Sequence, residues 1–138
     1  QPARQLGRIE HHWKPLRGQP VHVLGLGFRP GVKVDTFSPA YTLRDVLAAL
    51  GADTTLSDPH YAPEELLALG FAPASPERAK VVVLNTAHHE FTSPDFAMWR
   101  RAGVEAVLDG RNFWDQRAAE ASGLLYFGIG RSAQHEAK

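Results

Sequence analysis

Cysteine is missing altogether from the 138-residue chain. Its absence excludes a disulfide framework, a cysteine-ligated metal and a thiol nucleophile within the chain, and it fits a reducing compartment. Net charge is missing too. Fifteen Lys and Arg balance fifteen Asp and Glu, whereas a nucleic-acid domain carries a basic excess. No apolar run approaches the roughly 18 residues of a membrane-spanning helix. No signal peptide is visible, although the first residue is Gln1, which leaves room for an upstream start. The expectation is a cytoplasmic domain that engages neither membrane nor nucleic acid. The length suits a single unit able to bury a core.

The strongest positive signal is VHVLGLGFRPG, from Val21 to Gly31. Val21, Val23, Leu24 and Leu26 suit a strand covered on both faces, as in a parallel sheet. Gly25 and Gly27 follow, and a glycine-rich turn can bring backbone N–H groups up to a phosphate. The turn is therefore expected to bind an anion. It does not read as an ordinary NAD site. That fingerprint wants a third glycine at the opening of a helix, and Pro30 stands there. The next helix signal comes later, at Ser38-Pro39, an N-cap followed by proline at the first helical position.

Leu6, Ile9, Trp13 and Leu16 recur at intervals of three or four and predict a helix over residues 3–16. Pro15, Gly18 and Pro20 break the chain before the first strand, residues 21–28. A loop over 29–37 leads to a helix over 39–50, with Gly51 at its end. Then come a short strand over 54–57, a helix over 62–69 and the most apolar strand, KVVVLN, over 80–85. A helix over 94–101, opened by Ser93-Pro94, is followed by a strand over 104–108, a helix over 115–122 and a last strand over 124–129. The tail, 132–138, is polar and expected to fray. Strands alternating with short helices predict an α/β fold, a three-layer α/β/α Rossmann-like sandwich with a mostly parallel sheet.

In such sheets ligands bind beyond the carboxyl ends of the strands. Those ends read Phe28-Arg29, Asp58 to His60, Asn85-Thr86 with His88, and Asp109 with Arg111 and Asn112. Hydroxyl, imidazole, amide and guanidinium groups gathered there suit a phosphorylated, polyhydroxylated ligand. Arg111 matters most, because a guanidinium takes phosphate through two parallel hydrogen bonds. The competing reading is a surface salt bridge to Asp109. Asp58 either accepts ribose hydroxyls or only caps the turn at Pro59. His88, His89 and Glu90 fall short of a metal site, since consecutive histidines at a strand end point apart and zinc needs three or four converging ligands. His11-His12 reads as a solvated face, and Trp13, Trp99, Trp114 and Phe91 read as packing residues.

With these residues laid out, the chain resembles the C-terminal domain of the UDP-glucose/GDP-mannose dehydrogenase family, from about Leu16 to Arg131. The family pattern G-L-x-F-K-P falls on Gly25-Leu26-Gly27-Phe28-Arg29-Pro30, and S-P-A on Ser38-Pro39-Ala40. D-P-H falls on Asp58-Pro59-His60, and T-x-H-x-x-F runs from Thr86 through His88 to Phe91. D-G-R-N is Asp109 to Asn112, and the closing G-I-G-R is Gly128 to Arg131. Each is weak alone; in the right order and spacing they are specific.

The resemblance implies an enzyme that oxidises the C6 hydroxyl of a nucleotide sugar twice, to a carboxylate, with NAD as oxidant. Residues 1–18 then resemble the linker helix from a preceding domain, and 19–131 the nucleotide-sugar-binding domain. Phe28, Arg29 and Arg111 would contact a UDP-sugar around its phosphates, with Asp58, Thr86, His88 and Asn112 as further candidates. In the family, NAD and the catalytic cysteine belong to other domains. No residue of this chain is therefore a catalytic candidate, and the chain alone is expected to be inactive. Family members are commonly oligomers, which implies a homo-oligomer here. Two departures stand out. Arg29 replaces the usual lysine, and Thr36 occupies the position of an arginine thought to reach NAD, after Lys33 and Val34 in place of two acids. These departures fit the alternative of a stand-alone module that holds a nucleotide sugar without oxidising it.

Overall fold

A computed structural model describes residues 2–129; Gln1, the Gly130-Arg131 end of the last motif and the polar tail 132–138 lie outside the described residues. Five strands form one sheet: β1 (Pro20–Leu24), β2 (Asp53–Ser57), β3 (Val81–Leu84), β4 (Ala106–Asp109) and β5 (Leu125–Gly128). Their order is β2-β1-β3-β4-β5. Every neighbouring pair is parallel, with Val21 opposite both Thr54 and Val81. All four residues of β3 are buried, as a central strand covered on both faces requires.

Five helices cover the faces: α1 (Pro2–His12), α2 (Pro39–Ala49), α3 (Pro63–Ala68), α4 (Phe96–Ala102) and α5 (Gln116–Ala121). Alternate strand residues feed two cores. Val81 and Val83 pack with Leu6, Ile9, Leu43, Leu47 and Leu66 of the first three helices. Val82 and Leu84 pack with Phe96, Trp99, Trp114 and Ala119 on the opposite face. The three-layer α/β/α sandwich expected from the sequence is therefore the fold, with the sheet wholly parallel.

Local signals explain the element ends. Ser38 caps α2, its hydroxyl accepting from the Ala40 N–H at 3.1 Å. The fourth helix starts later than expected: Asp95, not Ser93, is its cap, accepting from the Met98 N–H at 3.0 Å. α1 stops at His12 rather than residue 16. Pro15 disfavours helical backbone at Lys14, and Glu10 instead takes the Leu16 N–H at 2.9 Å. Leu6 and Ile9 are fully buried, so the apolar stripe of α1 is spent on this domain's own sheet. Trp13 is only half-buried and donates its indole N–H to Glu105 at 3.0 Å. That bond, followed by Lys14 and Lys80 nearby, holds the Glu105 carboxyl below its usual range. Trp99 and Trp114 are core residues, as expected.

Candidate functional site

β1 ends where Gly25 turns the chain with φ of +99°. A Cβ there would stand 2.4 Å from the Thr86 Cβ, so only glycine permits this approach of the β1 and β3 ends. The N–H groups of Gly25 to Phe28 are already committed. Asp58 Oδ2 accepts from Leu26 at 2.7 Å and Gly27 at 3.1 Å. Gly25 donates to the Ser57 carbonyl and Phe28 to that of Val34, while Gly31 donates to His88 Nδ1 at 3.0 Å. The carboxylate that this turn holds within the chain is Asp58. For the same reason the turn does not fit a dinucleotide pyrophosphate.

Asp58, Thr86 and His88 were expected to face a ligand, but all three are buried. Asp58 also accepts from His88 Nε2 at 2.9 Å and, through Oδ1, from the His60 N–H at 2.8 Å. Thr86 donates its hydroxyl to the Gly27 carbonyl at 2.7 Å. These side chains brace the loops after β1, β2 and β3 against one another. The turn cap read for Asp58 is present in the bond from the His60 N–H, and the same carboxylate reaches across to the turn after β1. His89 and Glu90 are exposed on a single 3-10 turn, apart from the buried His88.

The end of β4 is built differently. Asp109 is fully buried. Its carboxylate accepts from the Arg111, Phe113 and Trp114 N–H groups and from the Tyr126 hydroxyl, at 2.7 to 3.1 Å. This folds residues 109–114 into a tight turn in which Asn112 takes a left-handed φ of +52°. The Arg111 guanidinium does not pair with Asp109. It donates Nε to the Asn85 carbonyl at 2.8 Å, and its two terminal nitrogens bond to no other described residue. The salt-bridge alternative for Arg111 is corrected accordingly: Asp109 positions the backbone, and the charge faces outward.

Arg111 lines a cleft of about 300 Å³ at the carboxyl ends of β3 and β4. Asn85 and Arg111 line it together with Pro39 and Leu43 of α2 and Pro2 and Gln5 of α1. Phe28, Arg29, Thr36 and Asn112 are exposed and lie outside its lining. Sequence reading missed Gln5, because α1 looked like a linker. It also missed the role of Asp35, which accepts from Tyr41 at 2.5 Å and Tyr61 at 3.0 Å. Burial first, and then this bond, pushes the Tyr41 hydroxyl up to about 12 and the Tyr61 hydroxyl in the same direction. The loop between, 28–37, exposes Phe37 almost completely, at 89%.

A parallel sheet whose polar residues gather at the carboxyl ends, beside the reversal of strand order between β1 and β3, defines an open α/β ligand-binding domain. More specifically, the chain belongs to the UDP-glucose/GDP-mannose dehydrogenase family, whose UDP binding domain matches residues 22–116. YtcA of Bacillus subtilis (strain 168) is 31% identical over 133 residues, 90% of this chain and 30% of that protein. The UDP-glucose 6-dehydrogenase of Pseudomonas aeruginosa is 31% identical over 129 residues, 83% of this chain and 28% of that protein. A UDP-glucose dehydrogenase structure from Pyrobaculum islandicum superposes with a TM-score of 0.75 at 22% identity, over 95% of this chain and 30% of the other. That likeness shows the shared fold. The chain spans about 30% of the length of the relatives it matches.

Proposed function

We propose that this chain is the nucleotide-sugar-binding part of an NAD-dependent UDP-sugar 6-dehydrogenase, which converts the sugar C6 hydroxyl to a carboxylate. The observation that carries the reading is Arg111 at the cleft rim. Its Nε is tied to the Asn85 carbonyl, so the two terminal nitrogens are held ready for a diphosphate. Arg29 is a second cation, on the turn after β1, and Phe28 beside it is 43% exposed, which suits contact with the same ligand. The relatives' names, UDP-glucose 6-dehydrogenase among them, support the reaction.

Residues outside this chain would supply NAD and the nucleophile, since Asp58 already takes the Leu26 and Gly27 N–H groups of the turn after β1 and the chain has no cysteine. Assembly as a homo-oligomer in the cytoplasm completes the reading; among the described residues no helix is long and apolar enough to cross a membrane. The test is calorimetric titration of UDP into the chain and into Arg111→Ala. Loss of one charge-assisted pair, about 1.5–3 kcal/mol, predicts at least tenfold weaker binding. Equal affinities would refute the placement. The exposed Thr36, standing where the family has arginine, favours one second reading, a module that binds without oxidising. Turnover by a dehydrogenase in which this chain replaces the matching part would exclude that module.

A further inference from the structure

Asp35 is the one acid in the loop 28–37, and both of its carboxylate oxygens are taken. Oδ2 accepts from the Tyr41 hydroxyl at 2.5 Å and Oδ1 from the Tyr61 hydroxyl at 3.0 Å. Tyr41 stands on α2 and Tyr61 just ahead of α3, so a single side chain fastens the loop to two separate elements. Packing holds both rings without help from their hydroxyls. Tyr61 is buried, and Tyr41 lies against Phe71 with ring centres 5.4 Å apart.

Neighbouring bonds carry this hold along the loop in both directions. The Ser38 N–H donates to the Asp35 carbonyl at 2.9 Å, and the Phe28 N–H donates to the carbonyl of Val34, the residue before Asp35. Lys33 adds a tie to α3 through Glu65 at 2.6 Å, with its ammonium 5.1 Å from the centre of the Tyr61 ring. Between the Asp35 anchor and the Ser38 cap, Phe37 keeps a left-handed φ of +61°. A bulky residue holds that conformation where its surroundings impose it. Arg29 follows Phe28 directly and is exposed.

From this chain of contacts, and resting on the proposed contact of Arg29 with the ligand, we infer that Asp35 is a positioning residue. Held by Tyr41 and Tyr61, it fixes Val34, and through Val34 the backbone of Phe28, from which Arg29 is presented to the diphosphate. A loop set beforehand in its bound form has less conformational freedom to lose on binding. The same two bonds occupy the carboxylate, which would otherwise compete with a diphosphate for the guanidinium.

The test is calorimetric titration of UDP into the native chain, Tyr41→Phe/Tyr61→Phe, Asp35→Ala, Arg29→Ala and the combination of Arg29→Ala with Tyr41→Phe/Tyr61→Phe. The paired phenylalanines remove two hydroxyls and keep both rings, so this variant guards against an Asp35→Ala chain that merely unfolds; circular dichroism checks both. The expected result is UDP binding about fivefold or more weaker in the Tyr41→Phe/Tyr61→Phe and Asp35→Ala chains. In the Arg29→Ala background the phenylalanines should cost nothing further, because the group they misplace is gone. An equal loss in both backgrounds would show a merely structural role and overturn the inference. Native affinity without the hydroxyls or the carboxylate, with Arg29→Ala impaired, would overturn it and leave the Arg29 contact standing. Native affinity in Arg29→Ala would remove that contact and the positioning role together, while Arg111→Ala tests the diphosphate site on its own.

Discussion

Gly31 donates its backbone N–H to Nδ1 of His88 across 3.0 Å, and this bond fixes the tautomer of the ring. With Nδ1 accepting, the proton sits on Nε2, which donates to Asp58 Oδ2 at 2.9 Å. One imidazole thereby ties the loop after β1 to the carboxylate after β2. Asp58 gathers three backbone N–H groups besides this one, so the rim of the domain is closed around a buried anion.

Removing that tie has a calculable consequence. In His88→Leu, Asp58 keeps its backbone donors but loses a buried charge-assisted bond, and Gly31 loses its acceptor. The expected cost is about 2–3 kcal/mol, read as a lower urea midpoint. Proteolysis within 28–37 should also become faster, since the loop loses an internal hold. A stability loss under about 0.5 kcal/mol would show that the tie contributes little.

The buried His22 predicts an acid sensitivity of different origin. It is fully buried on β1, with Nδ1 2.7 Å from Thr55 Oγ1 and Nε2 2.8 Å from Ser57 Oγ. Burial lowers its pKa from 6.5 to about 4. Above pH 6.5 the ring is neutral in folded and unfolded chains alike, and pH exerts no leverage through it. Between 6.5 and 4 the unfolded chain takes a proton that the folded chain refuses, so stability falls as pH falls, by at most about 1.4 kcal/mol per pH unit. Below 4 the slope vanishes. Denaturant unfolding at stepped pH should show this window in the native chain and a shallower one in His22→Gln. Parallel slopes would discard the assignment.

Gly110 should be intolerant of a side chain although its backbone is not left-handed. A Cβ would stand 2.7 Å from the Leu84 carbonyl oxygen, a backbone atom that cannot swing aside. Gly110→Ala therefore forces the 109–114 turn away from β3. It should cost about 1–3 kcal/mol and weaken UDP binding through displacement of Arg111. Thermal denaturation paired with calorimetry checks both. Normal affinity in a destabilised variant would disconnect the turn from the ligand.

The architecture was legible because burial on both faces leaves its mark on composition: Val81 to Leu84 offers no polar alternation, and β3 is the central strand. The cap at Ser38 was legible for a similar local reason, being a short polar side chain directly before a helix. The site was only half legible. A carboxylate and a phosphate ask for the same N–H donors, so VHVLGLG read as an anion turn without disclosing that Asp58, 32 residues from Leu26, is the anion. Gln5 was invisible because nothing in a helical repeat says which cleft an intermediate position will line. Arg111 was singled out by its chemistry, while its partner, the Asn85 carbonyl, is a backbone group that sequence does not mark.

That partner gives the final prediction. Arg111 holds the Asn85 carbonyl through Nε at 2.8 Å, and its planar fork thus points both terminal nitrogens the same way. Lysine would bring the same charge on a flexible stem, with a single nitrogen that must choose between the Asn85 carbonyl and the ligand. If orientation matters as well as charge, Arg111→Lys should recover little of the UDP affinity lost in Arg111→Ala, remaining about fivefold or more below the native chain. Raising the salt concentration separates the contributions further. A long-range charge effect is screened beyond about 8 Å at physiological ionic strength, whereas a bidentate contact at the rim is screened much less. Calorimetry of UDP at low and high salt, with native, Arg111→Lys and Arg111→Ala chains, measures both. Full rescue by lysine at every salt concentration would reduce Arg111 to a point charge and leave the Asn85 bond without a role in binding.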